Sequence, residues 1–147
     1  MSSNIQHFNL VMQENRVRIM SLPKSEVKRL SKENLTQEDI EYFKEKYEKK
    51  FVKALRTVDE GKIVRYHFHP SDSVTWIVKG RRRQYLVIPE LYCTCRSFYQ
   101  EAVIARETNM CYHLLAQRIA EIREEYKTKE STDTQRRKLY VEWRRTD

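Results

Sequence analysis

The sequence predicts an α+β fold in which helices come first, a three-stranded antiparallel meander follows, and a long helix comes near the end. The hydrophobic period supports this order, because apolar residues recur every three or four positions up to residue 60 and again from residue 112, whereas β-branched and aromatic runs lie between. The 147 residues, 39% apolar and 34% charged, suit a single domain with one modest core. We divide it into a helical region (1–60), a central region (61–128) and a charged tail (129–147).

The first thirty residues carry weak signals of secondary structure. Apolar residues near the start fit a helix (Ile5, Phe8 and Met12) and a strand (Phe8, Leu10 and Met12) equally well, and we predict a helix. Pro23 can open a second, short helix, because proline is well tolerated in the first turn. Both helices are placed in the amino-terminal helical region.

A longer helix is marked clearly at both of its ends. Thr36 followed by Asp39 resembles a capping box, and Gly61 stands where a helix end favours a left-handed residue. Lys and Glu fill most positions in between, so the helix is expected to bury one narrow stripe. The residues of that stripe are Ile40, Phe43, Tyr47, Phe51, Leu55 and Val58.

Three runs with strand character follow this helix. They are Ile63–His69, Val74–Val78 and Gln84–Ile88, and all are rich in β-branched or aromatic residues. Short polar segments separate them, Pro-Ser-Asp-Ser after the first and Lys-Gly-Arg-Arg-Arg after the second. The pattern predicts an antiparallel meander.

Helical periodicity returns at Tyr112 and is lost again in the tail. The polar stretch Lys129–Lys138 is predicted to be flexible because it offers little apolar surface to bury. A last short element is expected around Trp143. The apolar positions of the preceding helix are Leu115, Ile119, Ile122 and Tyr126.

Charge and composition limit the classes of function. The net charge of +8 favours a phosphate backbone or an acidic protein as partner. No stretch approaches the roughly 20 apolar residues of a membrane helix. The start lacks the charged-then-apolar pattern of a secretory signal, so we expect a cytoplasmic protein, or a nuclear one in a eukaryote. With two glycines, the sequence has no Walker-type phosphate loop.

The three cysteines and one histidine form two closely spaced pairs. Cys93 and Cys95 are separated from Cys111 and His113 by fifteen residues, and one residue separates the members of each pair. Thiolates and imidazole are the ligands that zinc prefers, and four protein ligands leave no open position for a catalytic water. The spacing therefore predicts one structural zinc ion. The alternative is three buried thiols and a surface histidine.

This arrangement, Cys-x-Cys-x15-Cys-x-His, resembles the SWIM zinc finger. His113-Leu-Leu-Ala116 continues the resemblance, which runs from about Leu55 to Ile122 and includes the segment Tyr92-Cys-Thr-Cys-Arg-Ser-Phe98. It implies a ββα unit whose helix follows the second ligand pair, so the central region would be a SWIM zinc-finger region. Ala116 would let that helix approach the metal loops closely.

Among SWIM fingers, the chain resembles the SWIM-domain subunit of Shu-type complexes, which assist RecA-family recombinases. The resemblance implies a non-catalytic adaptor that pairs with a RecA-family recombinase paralogue, an ATPase, and supports homologous recombination and DNA repair. The DNA would be single-stranded or forked, and bound directly or through the partner. A stand-alone SWIM-type DNA-binding protein, a regulator or transposon derivative, is the alternative.

Two basic clusters are candidates for DNA contacts, Arg81, Arg82 and Arg83 in a turn and Arg136 and Arg137 in the tail. Exposed guanidinium groups can bind phosphates, and the aromatic residues of the predicted strands could stack on bases. The alternative is a solvated turn and tail with the aromatic residues in the core. These aromatic residues are Tyr66, Trp76 and Tyr85.

A pair of histidines, His67 and His69, lies on one face of the first predicted strand. Such a pair can bind a metal, and a metal-dependent nuclease would be the corresponding enzyme. No carboxylate follows at short spacing, and histidines in this position are more often solvated or packed against neighbours. We therefore expect a structural role for the pair and no enzymatic activity.

Overall fold

A computed structural model describes residues 21–104 and 110–145. The helix predicted within residues 1–20 lies outside this range. No helix in the described part of the chain is long and apolar enough to cross a bilayer. The elements in order are α1 (Lys24–Leu30), α2 (Gln37–Tyr47), α3 (Lys49–Asp59), β1 (Ile63–His69), β2 (Ser73–Lys79), β3 (Gln84–Ile88), β4 (Tyr92–Cys93), a π-helical segment (Phe98–Ile104), α4 (Tyr112–Arg123), β5 (Lys127–Thr132) and α5 (Asp133–Trp143).

The five strands form one mixed sheet in the order β4-β3-β2-β1-β5. The predicted meander of β1, β2 and β3 is confirmed, with antiparallel pairing throughout. β5 is added at the edge, parallel to β1. The prediction of a flexible stretch at Lys129–Lys138 is wrong, because this stretch forms the end of β5 and the first half of α5. Backbone hydrogen bonds to β1 contribute to holding this edge strand, so it needs few apolar side chains of its own.

The single helix predicted between Thr36 and Gly61 is divided into α2 and α3. Its start is confirmed: the backbone N–H of Asp39 donates to Thr36 Oγ1 (3.1 Å), and that of Thr36 donates to Asp39 Oδ2 (3.2 Å). The break lies at Glu48, which has φ 57° and ψ −135°. Neither glycine nor proline marks this break, and the apolar spacing continues through it, so the sequence pattern does not reveal it.

Both faces of the sheet are covered. The main core lies between one face and the helices α1 to α4, and it contains Phe43 and Phe51, whose rings stack with centroids 5.1 Å apart. A smaller core on the other face packs around Trp143 of α5, which is fully buried and donates from Nε1 to Gln84 Oε1 (2.9 Å). α5 therefore anchors the carboxy-terminal part of the chain to the sheet.

Candidate metal centre and neighbouring basic cleft

The backbone brings the two ligand pairs together from different elements. Cys93 ends β4, and the next residue, Thr94, is fixed to β3 by two hydrogen bonds with the backbone of Leu86. The chain then turns into the π-helical segment. Cys111 has an extended backbone (φ −109°, ψ 174°) directly before α4, and His113 lies in the first turn of that helix. One ligand pair thus leaves a strand while the other enters a helix, as the sequence predicted.

The four side chains form one buried cluster. Cys93, Cys95, Cys111 and His113 are between 1% and 5% exposed, and their ligand atoms all lie within 4.8 Å of one another. Sγ of Cys111 lies 3.8 Å from Nδ1 of His113. In a tetrahedron with a metal–sulfur bond of about 2.3 Å and a metal–nitrogen bond of about 2.0 Å, sulfur and nitrogen lie about 3.5 Å apart, so the spacing suits a zinc ion. The alternative of a surface histidine is wrong, since His113 is buried.

The protonation of the thiols also suits a cation. Burial raises the pKa of Cys93, and it raises the pKa of Cys111 to about 12. Hydrogen bonds from Cys111 and Cys93 lower the pKa of Cys95, whose Sγ also accepts from the backbone N–H of Phe98 (3.3 Å). Three neighbouring thiols therefore resist ionising together, and a divalent cation removes this penalty. Nε2 of His113 is buried, and no hydrogen-bond partner for it lies in the described residues.

A basic cleft of about 480 Å³ lies beside this cluster. Tyr112, placed between two of the predicted ligands, forms part of its wall, and its ring lies 4.0 Å from that of His113. Five basic side chains and one carboxylate, Glu60, also line the cleft. The basic residues are Lys53 and Arg56 of α3, Lys62 just before β1, Lys79 at the end of β2 and Arg81 in the turn that follows.

The turn that carries Arg81 is held against the metal cluster. The backbone N–H of Gly80 donates to the carbonyl of Arg83 (2.8 Å), and a Cβ at Gly80 would lie only 2.7 Å from the Tyr85 ring. Tyr85 in turn packs on His113, with ring centroids 4.4 Å apart. Only glycine leaves room for this turn, which contacts the metal cluster through the Tyr85 ring.

The structure separates the two predicted arginine clusters. Arg81 lines the cleft beside α3, whereas Arg136 lies over Phe68 and Tyr140, with its guanidinium 5.0 Å from the Tyr140 ring centroid. Phe68 belongs to the smaller core, on the opposite face of the sheet from α3. The two clusters therefore do not form one surface, and direct DNA contact by either of them stays a prediction.

The aromatic residues and the histidine pair of the strands were the other candidates. Tyr66 and Trp76 are buried, so they are core residues and are not available for stacking on bases. His67 and His69 lie together on β1 and meet Glu130, a carboxylate from β5 that the sequence did not associate with them. The basic residues of α3 were also missed, because their spacing along a helix looks like an ordinary solvated face.

Comparison with known proteins supports the nature of the metal cluster. No family model matches the chain, and no solved structure matches it. Over 84 residues the chain is 29% identical to the zinc finger SWIM domain-containing protein 7 homolog of Dictyostelium discoideum, a match that covers 56% of this chain and 54% of the relative. The chain thus spans about half the length of this relative. It is similar to a SWIM zinc-finger protein, and its buried Cys93–Cys95–Cys111–His113 cluster fits a SWIM-type zinc site.

Proposed function

We propose that this protein is a non-catalytic, zinc-binding SWIM adaptor. The observation that carries the proposal is the buried cluster of three cysteines and one histidine, whose ligand atoms are close enough together for tetrahedral coordination of one ion. With four protein ligands the ion has no position for a reacting water. Its role is to join β4 to the start of α4, and thereby to fix the two ends of the fifteen-residue segment that separates the ligand pairs.

The partner in this proposal is a RecA-family recombinase paralogue that supplies the ATPase. The support is the SWIM-type cluster, the similarity to a curated SWIM protein and the absence of a Walker-type loop from the sequence. Exposed apolar side chains near the cluster suit a protein partner: Tyr99 and Ile104, 53% and 63% exposed, share the segment between the two ligand pairs. The complex would support homologous recombination and DNA repair.

DNA binding in this proposal uses the basic cleft beside the zinc cluster. Five cations facing one carboxylate attract a phosphate backbone without reading its sequence. Because Tyr112 forms a wall of the cleft and is flanked by two zinc ligands, loss of the metal would change the shape of the cleft. Single-stranded or forked DNA is the expected ligand.

A tagged pull-down from the native organism tests the adaptor role. We expect a RecA-family ATPase in near-equal amount, and we expect a Tyr99→Ser/Ile104→Ser variant that still binds zinc to recover less of it. Recovery of DNA without such an ATPase would instead support the second candidate, a stand-alone SWIM-type DNA-binding protein. The basic cleft is the observation that favours this second candidate.

Fluorescence anisotropy with labelled single-stranded DNA at low salt tests the cleft. Reversing two exposed charges in it (Arg56→Glu with Lys79→Glu) should weaken binding by about tenfold or more, and should reduce the dependence of affinity on salt. The matched control reverses two exposed charges on α5, Arg137→Glu with Lys138→Glu, and should change affinity less. Equal losses in both variants would show that the cleft has no special role.

A further inference from the structure

A second group of side chains of the types that bind metals lies at one edge of the sheet, on the strands β1 and β5. His67 and His69 are two residues apart on β1, so their side chains lie on the same face. Glu130 of β5 is paired directly with His67 in the parallel register. Three side chains of types that suit a transition metal, two imidazoles and one carboxylate, are therefore carried by regular strands, which fix the relative positions of their backbones.

The ligand atoms of this group already converge. Nε2 of His69 lies 2.5 Å from Oε2 of Glu130, and Nδ1 of His67 lies 3.0 Å from the same oxygen. The three ligand atoms all lie within 4.8 Å of one another, as in the cysteine cluster. One carboxylate oxygen thus lies within hydrogen-bond distance of both imidazole rings.

A fourth residue orients the His67 ring. Oδ1 of Asp72 accepts a hydrogen bond from Nε2 of His67, which directs the other nitrogen, Nδ1, towards Glu130. Metal-binding histidines usually donate their second N–H to a carboxylate in this way, because the bond fixes the tautomer and orients the ring. Asp72 is held nearby by its turn, in which Ser71 donates from its backbone N–H (3.0 Å) and from Oγ (2.6 Å) to Asp133.

We propose that His67, His69 and Glu130 form a second metal site, which binds a divalent transition-metal ion such as Zn²⁺ in an open coordination. Two imidazoles and a carboxylate are a ligand set used for zinc and for its neighbours in the first row. Unlike the cysteine cluster, this site is accessible: Glu130 is 60% exposed and His69 is 54% exposed, so water or a partner's ligand completes the coordination. The ion would clamp the edge strand β5 to β1.

The competing explanation is a cluster of ion pairs without a metal. The hydrogen bond with Asp72, followed by that with Glu130, raises the pKa of His67, so a protonated ring can satisfy both carboxylates. The two explanations differ in one measurable respect. A metal site takes up an ion and releases protons, whereas an ion-pair cluster gains nothing from added zinc.

The test uses the full chain with the cysteine cluster loaded with zinc. After dialysis against micromolar free Zn²⁺, elemental analysis should find two equivalents per chain in the wild type and one in the variants His69→Ala and Glu130→Gln. Glu125→Gln is the matched control, because that carboxylate pairs with Arg123 outside the site, and it should retain two equivalents. Asp72→Asn keeps all three ligands and should lower the affinity of the second ion by about tenfold or more.

Imidazole ¹⁵N spectra of the unmodified protein give a readout that does not depend on how the variants fold. Zinc added beyond the first equivalent should shift the His67 Nδ1 and His69 Nε2 resonances and leave those of His113 unchanged. A wild type that takes up one equivalent only, with no shift of these nitrogens, would overturn the proposal. So would a second equivalent that remains in a folded His69→Ala variant.

Discussion

The cysteine cluster and the histidine cluster have similar dimensions but opposite surroundings. In each, the candidate ligand atoms lie within 4.8 Å of one another. The four residues of the first are buried, whereas His69 and Glu130 of the second are more than half exposed. Buried thiols without an ion leave unfavourable interactions, and exposed histidines and carboxylates are already satisfied by one another and by water. Metal should therefore be essential to the first cluster and optional for the second.

Cys95→Ser should give the largest effect, because it removes a ligand from the buried cluster. Structural zinc contributes about 10–16 kcal/mol of binding free energy in zinc-finger peptides near neutral pH, an amount comparable with the whole stability of a domain. We expect loss of the tightly bound zinc and a marked fall in the unfolding temperature. Zinc analysis and circular dichroism measure the two.

His69→Ala serves as the control for this experiment. It removes an exposed ligand from the other cluster and should leave the tightly bound zinc and the unfolding temperature in zinc-free buffer nearly unchanged. Retention of one tightly bound equivalent by Cys95→Ser, with normal stability, would contradict the assignment of the cysteine cluster.

Trp143→Ala should give the next largest effect, and it should affect the histidine cluster without affecting the cysteine cluster. Removing this fully buried ring leaves a large cavity in the smaller core, at a cost of about 3–5 kcal/mol. α5 then loses its anchor and β5 carries Glu130 away from the histidines, while the cysteine cluster, on the side of the main core, keeps its ion. Urea unfolding together with zinc analysis would record lower stability with the first equivalent retained and the second lost.

Val141→Ala is the matched control on the same helix. Its side chain is 65% exposed, so the change in stability should stay within about 0.5 kcal/mol. A Trp143→Ala protein that loses the tightly bound zinc as well would show that the two cores depend on each other.

The same contrast explains what the sequence could and could not predict. The three cysteines and His113 occur as two compact pairs, so their spacing alone indicated the cluster. The predicted meander follows from the apolar runs that the core requires. Glu130 is 61 residues from His69, and β5 (Lys-Thr-Lys-Glu-Ser-Thr) has no apolar residue. Its place in the sheet depends on backbone hydrogen bonds and on Trp143, which lies beyond it. The sequence did not reveal the break at Glu48, because the apolar spacing continues through it and Phe43 and Phe51 still stack on each other.

A third cluster of charged side chains surrounds Asp39. Unlike the two candidate metal sites, it is held together by ion pairs between protein groups alone. Oδ1 of Asp39 lies 3.2 Å from Nη1 of Arg29 and Oδ2 lies 3.0 Å from Nζ of Lys32. The hydrogen bond from Lys32 is the main cause that lowers the pKa of Asp39 from 3.8 to about 2. The pKa of Asp39 is lower in the folded state than in the unfolded state. The ionised carboxylate therefore stabilises the fold at any pH above the unfolded-state pKa, and this contribution is lost as the pH falls through the folded-state pKa.

Asp39→Asn should therefore give the smallest effect, and one that depends on pH. The variant can still cap α2 through its side-chain oxygen but lacks the charge. Urea unfolding of both proteins should show a difference in free energy that is constant near neutral pH and shrinks as the pH falls from about 4 towards 2. Acid also protonates the zinc thiolates, but it does so in both proteins, so this effect cancels in the difference. A difference that grows in acid would mean that Asp39 is not held as its ion pairs indicate.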